Sequence, residues 1–138
     1  MKLSFASLYA VQALASMAAR DGDGYFTGSH ITAKDRGIPE KFLLKLLGML
    51  ARAGILLSIK GPRGGFRLAR PANKITLLEI LEAVNGTLRG EAPKIGGEHT
   101  DALDNQLQAI CQRITDLERQ QLGKVRLSDL AGKVGKKS

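Results

Sequence analysis

The sequence has one cysteine, Cys111, two histidines and no tryptophan in 138 residues. One cysteine excludes an intrachain disulfide framework and any site built from several cysteines of one chain. His30 and His99 each stand without a Cys, His or acid at metal-ligand spacing, so both read as surface residues. No nucleophile–base signature and no clustered acid pair stands out, which argues against an enzyme. No apolar run reaches the roughly 18–20 residues of a membrane span. What is present is 43% apolar residues, enough for a core and too much for a disordered chain. The length fits one compact domain with an extension and excludes a large multidomain enzyme.

Acidic residues are the other shortage, and it is local. The chain carries a formal net charge of +8. Between residues 34 and 74 stand ten Lys or Arg and only two acids, Asp35 and Glu40, so this stretch accounts for the whole excess. Lys and Arg that neutralise phosphates release condensed counterions, and a focused basic patch is the electrostatic footprint of nucleic-acid binding. An anionic membrane or a merely solvated basic face would also tolerate the charge.

The N-terminal stretch Met1–Ala19 imitates a secretory signal, with Lys2, an apolar run and Ser16-Met17-Ala18. Ser4, Ser7, Tyr9 and Gln12 interrupt that run, and the large apolar residues recur at helical spacing. The spacing predicts an amphipathic helix packed on the core, ended by Asp21-Gly22-Asp23-Gly24. Without another targeting signal, the cytoplasm is the expected location.

Ser29 caps a short predicted helix reaching about Arg36, and Gly37 stops it. Pro39 opens the next helix, because its missing N–H is unpaired in a first turn anyway. Phe42, Leu43, Leu46, Leu47 and Leu50 give this helix an apolar stripe, with Lys41 and Lys45 off its centre. Short helix, tight turn and longer helix form a helix-turn-helix layout, whose second helix presents N-terminal side chains to a major groove. Two strand-like runs follow, Ile55–Ile59 and Phe66–Leu68, joined by Gly61-Pro62-Arg63-Gly64-Gly65. The glycines and proline suit a hairpin loop. A phosphate-cradling nucleotide loop is excluded, since it needs a helix after the glycines and a Lys-Ser/Thr pair. A basic hairpin after a recognition helix is a wing, with Lys60 and Arg63 reaching phosphates or a minor groove. Phe42 either touches a thymine methyl or anchors the core.

Further along, Leu103, Leu107, Ile110, Ile114 and Leu117 are spaced 4, 3, 4 and 3 apart, a heptad seam. The seam predicts dimerisation, with the helix packing on the Met1–Ala19 helix as well; an intrachain core helix is the alternative. Cys111 lies one residue past Ile110. It reads as a small apolar residue near the interface, rather than a thiol sensor or interchain disulfide, because no activating neighbour is evident.

These residues resemble the bacterial winged-helix regulators of the IscR, NsrR and CymR family. The matching pieces run from Met1-Lys2-Leu3-Ser4 and Tyr9-Ala10-Val11 through Gly37-Ile38-Pro39, Phe42-Leu43 and Ala53-Gly54-Ile55. They continue with Lys60-Gly61-Pro62, Gly64-Gly65-Phe66, Ile75-Thr76 and Ile80–Val84, covering roughly residues 1–86. The resemblance implies a mainly α winged helix-turn-helix fold with a small β-hairpin and a long C-terminal dimerisation helix. It implies a homodimeric DNA-binding transcription regulator, a repressor, contacting DNA through Ser4, Tyr9, Pro39, Lys41, Phe42, Lys45, Lys60 and Arg63. A two-fold dimer predicts an inverted-repeat operator. In this family the loop before the long helix can carry an iron–sulfur cluster on three cysteines; here Arg89–His99 has none, so a cluster-free member is expected. Asn85 stands where an acid usually precedes Gly86, and the basic residues usual before the Tyr are absent at Ala6-Ser7-Leu8. The expected organisation is a DNA-binding domain at 1–86, a loop at 87–99, the dimerisation helix and closing element at 100–131 and a basic tail at 132–138. Two rival functions remain: a regulator acting mainly through a protein partner, or a sequence-tolerant architectural nucleic-acid binder. The effector is unknown.

Overall fold

The computed structural model describes residues 2–20, 37–62, 64–91 and 102–133. Helix α1 (Phe5–Ala19) is followed by α2 (Glu40–Arg52), strands β1 (Leu56–Ile59) and β2 (Gly65–Leu68), and a 3-10 turn (Ala72–Lys74). Helices α3 (Leu77–Asn85), α4 (Ala102–Lys124) and α5 (Leu127–Ala131) complete the chain. The architecture is mainly helical with a two-stranded antiparallel hairpin. The short helix expected over 29–36 lies outside the described residues, as do Arg63, His30, His99 and residues 134–138 of the tail.

Helix α1 runs through the centre. Its buried face is small, with Ala10, Ala13 and Ala15 beside Leu14 and Met17, which lets neighbouring helices approach closely. Against it pack Leu43, Leu47 and Leu50 of α2, Ile80 of α3 and Leu127 of α5. Ser4 caps α1, its hydroxyl accepting from the Ser7 N–H at 3.1 Å. Thr76 and Glu79 close a capping box at the start of α3, which satisfies two end donors reciprocally.

The long C-terminal helix is followed by a short closing helix, as expected, but departs from expectation in what packs on α1. It ends at Lys124, and Val125-Arg126 reverse the chain before α5. The reversal is stitched to the start of α3, with the Leu77 N–H donating to the Val125 carbonyl and the Leu127 N–H to that of Ile75. Leu127 thereby enters the core with no exposed surface. As a result α5, not α4, packs extensively on α1, while α4 rests on α3. Within the described chain α4 buries only Thr115.

Gly90 anchors the segment leading to α4. A Cβ there would fall within 3 Å of the Cys111 carbonyl and the Gln112 Cα, so only glycine lets the two backbones meet. The Gly90 carbonyl accepts from the Gln108 side-chain amide.

Candidate nucleic-acid interface

Helix α2 is sharply two-sided. Leu43, Leu46, Leu47 and Leu50 are buried, while Glu40, Lys41, Leu44, Lys45 and Arg52 face solvent. Pro39 is its N-cap, extended at φ −57°, and donates nothing to the first turn. Phe42 is half-buried and meets Tyr9 edge-on, ring centroids 5.8 Å apart. Tyr9 in turn lies 6.0 Å from Phe5, so three aromatic rings brace the start of α2 against α1. Phe42 thus packs on the Tyr9 ring while part of its surface stays accessible.

The chain then turns at Gly54, whose φ of 79° needs glycine, and enters the hairpin. Its register pairs Leu56 with Leu68, Leu57 with Arg67, Ser58 with Phe66 and Ile59 with Gly65. Alternation sends Phe66 toward the core cluster and leaves Arg67 exposed beside Leu57. The loop closes tightly, the Gly64 N–H donating to the Gly61 carbonyl at 2.8 Å. A Cβ on Gly64 would collide with the Ile59 and Gly61 carbonyls. Lys60 stands exposed at the start of this loop.

Some basic residues are held by the fold and others are open. Arg70 is committed: it donates to the Lys74 carbonyl at 2.9 Å and pairs with Glu79 at 3.3 Å. Arg119 pairs with Glu82 at 2.6 Å, and Arg126 donates to the Asn73 carbonyl. Lys41, Lys45, Lys60 and Arg67 are exposed and make no ion pair or side-chain hydrogen bond among the described residues. Burial works to raise the Glu79 pKa, but the Thr76 N–H and the Arg70 guanidinium outweigh it and hold the carboxyl below its usual range. Lys41, Lys45, Lys60 and Arg67 lie on α2 and the hairpin, a helix and a wing in succession; Arg52 at the end of α2 is exposed as well, as are Lys74, Arg113 and Lys124 beyond the hairpin. Arg67 and Leu44 are exposed on the hairpin and α2 and were not among the site residues expected from the sequence. In Arg67 the in–out alternation of β2 was a usable signal.

Ser4 is tied inward. Its hydroxyl donates to the Asn85 Oδ1, and the Asn85 amide donates to the Ser7 hydroxyl. On α4 the seam residues Leu103, Leu107, Ile110, Ile114 and Leu117 are all exposed, from 38% to 62%. The intrachain-core alternative for this seam is thereby corrected, since nothing in the described chain covers it. Among the described residues no group of three or more His, Cys, Asp or Glu is placed to hold a metal ion. The only cysteine sits on α4, so the residues present do not match a three-cysteine cluster site.

The family model Rrf2, described as iron-dependent transcriptional regulator, matches residues 3–133. The HTH-type transcriptional regulator IscR of Cereibacter sphaeroides is 34% identical over 114 residues, spanning 78% of this chain and 74% of that protein. The oxidised form of Staphylococcus aureus CymR superposes with a TM-score of 0.72 at 27% identity, covering 99% of this chain and 100% of that one. The global cysteine regulator CymR of Bacillus subtilis shares the fold, with a TM-score of 0.75 at 24% identity over 98% of this chain and 99% of its own. A family match running from residue 3 to residue 133 leaves only the two termini outside it, and the chain therefore belongs to the Rrf2 family of transcriptional regulators.

Proposed function

We propose that the protein is a homodimeric repressor that binds an inverted-repeat operator in the cytoplasm. The carrying observation is the open set of basic side chains: Lys41 and Lys45 on the outer face of α2, then Lys60 and Arg67 on the hairpin. A helix of this width fits a major groove, and the hairpin falls on the flanking backbone. Lys41 and Lys45 approach the groove from the first turns of α2, with Pro39 fixing its entry. Lys60 and Arg63 hold phosphates or the adjacent minor groove. Ser4 and Tyr9 serve the same surface by fixing α1 and bracing Phe42.

Dimerisation is assigned to the exposed seam of α4, an apolar stripe that two copies would bury against each other. Residues 1–86 form the DNA-binding unit, 87–99 the connecting loop, 100–131 the dimerising part and 132–138 a basic tail. The family description is iron-dependent, yet the 87–99 stretch lacks cysteine, so this member is proposed to act without a three-cysteine cluster. A gel-shift with the protein's own promoter against scrambled DNA tests the reading. Tight binding to the promoter alone supports it; equal affinity would favour an architectural binder.

A further inference from the structure

Two features of the outer face of α2 have no structural explanation. Leu44 is 50% exposed, although it sits within an otherwise orderly amphipathic helix. Gly48, one turn on, lies in mid-helix where glycine costs about 1 kcal/mol relative to alanine. No packing requires it, because a Cβ there would meet nothing within 4 Å. Single exposed leucines are common and mean little. Here, however, the leucine and the glycine are stacked on one face, separated by about 6 Å along the axis. Lys41 and Lys45 stand on the same face. The face therefore offers cations at its start and a low, uncharged strip beside them.

That combination suits a base edge better than a phosphate. In the major groove thymine presents a C5-methyl group, read by apolar contact, and a carbonyl. Phe42 is turned toward Tyr9, leaving Leu44 as the exposed large apolar side chain of α2. A helix with side chains is about as wide as the groove, so a bare position brings its backbone nearer the bases. Building on DNA binding through α2, we propose that Leu44 and Gly48 form its base-reading strip, Leu44 contacting a thymine methyl and Gly48 allowing close approach.

The test uses duplexes selected by the wild-type dimer from a random pool. Each thymine in the enriched sequence is replaced singly by deoxyuridine, which removes only the methyl. At one thymine per half-site, affinity should fall about fourfold, the worth of one buried methyl group. Leu44→Ala and Leu44→Gln should bind the thymine duplex more weakly and lose the distinction from deoxyuridine. Gly48→Ala should raise the urea midpoint while weakening specific binding about tenfold, the size of one mismatched base pair. Circular dichroism confirms that each variant is folded. Equal wild-type affinity at every deoxyuridine position, discrimination that survives Leu44→Ala, or undiminished binding by Gly48→Ala each overturns the proposal. A pool from which no duplex is enriched removes the DNA-binding reading itself, a result distinguishable from the loss of methyl readout alone.

Discussion

Ser7 has no exposed surface, yet it carries a hydroxyl. Burying that group is tolerable because Asn85 reaches across from the end of α3 to donate to it, and Ser4 lies 3.0 Å away. The same amide group joins Ser4, so one side chain ties the start of α1 to the end of α3. Asn85→Ala leaves the Ser7 hydroxyl short of a donor and should cost about 1–3 kcal/mol in urea denaturation. A change below a few tenths would show that water replaces the amide at no cost. The sequence alone marked Asn85 as a departure from its family without a reason; its partners are 78 and 81 residues away, beyond any local pattern. Glu79 gives a second residue-scale expectation. Its folded pKa is depressed, so its contribution is present above the unfolded value near 4.5 and is lost as pH falls through the lower folded value. Stability should therefore decline as pH falls from about 4.5 through that lower value, and Glu79→Gln should flatten this part of the profile. An unchanged slope in the variant would mean that other carboxylates govern acid unfolding.

Helix α4 shows how unevenly an element can be read from sequence. Its seam was legible because heptad spacing is a one-dimensional property, and each predicted seam residue is exposed in the single chain. Its neighbour within the chain was not legible. The choice of α5 over α4 as the partner of α1 depends on two hydrogen bonds from Val125–Leu127 back to 75–77, a pairing about fifty residues distant in sequence. The outer face of α2 was half legible: the stripe located the buried leucines, but Leu44 has the same chemistry as its neighbours and only the helix's rotation sets it outside. Five large apolar side chains in water on α4 are a liability for a monomer. Ile110 is central to the seam, and Ile110→Asp places a charge on each side of a two-fold contact. The variant should sediment as a monomer with its helical circular dichroism intact. A dimer that survives this change would move the interface elsewhere.

At the scale of the whole molecule, the excess positive charge is a resource that the fold partly spends on itself. Arg70, Arg119 and Arg126 are tied to carboxylates or carbonyls, and these contacts hold the 3-10 turn, α3, α4 and α5 together. Lys41, Lys45, Lys60 and Arg67 stay open on α2 and the hairpin, but Lys74, Arg113 and Lys124 are exposed elsewhere, which makes the net charge a poor guide to which cations meet DNA. Salt dependence separates the two possibilities. If Lys60 contacts a phosphate, Lys60→Ala removes one counterion-releasing contact per protomer, and the slope of log K against log salt should fall by about 0.9 for each. A dimer on a two-site operator counts the loss twice, so the measured change should be about 1.8. Lys124→Gln removes the same charge from the exposed end of α4 and serves as the control. Direct contact predicts that its slope matches the wild type, because a charge away from phosphate is screened over a Debye length of about 8 Å at physiological salt. Equal slope changes in the two variants would mean that DNA responds to the molecule's overall field, and that the hairpin is not a wing.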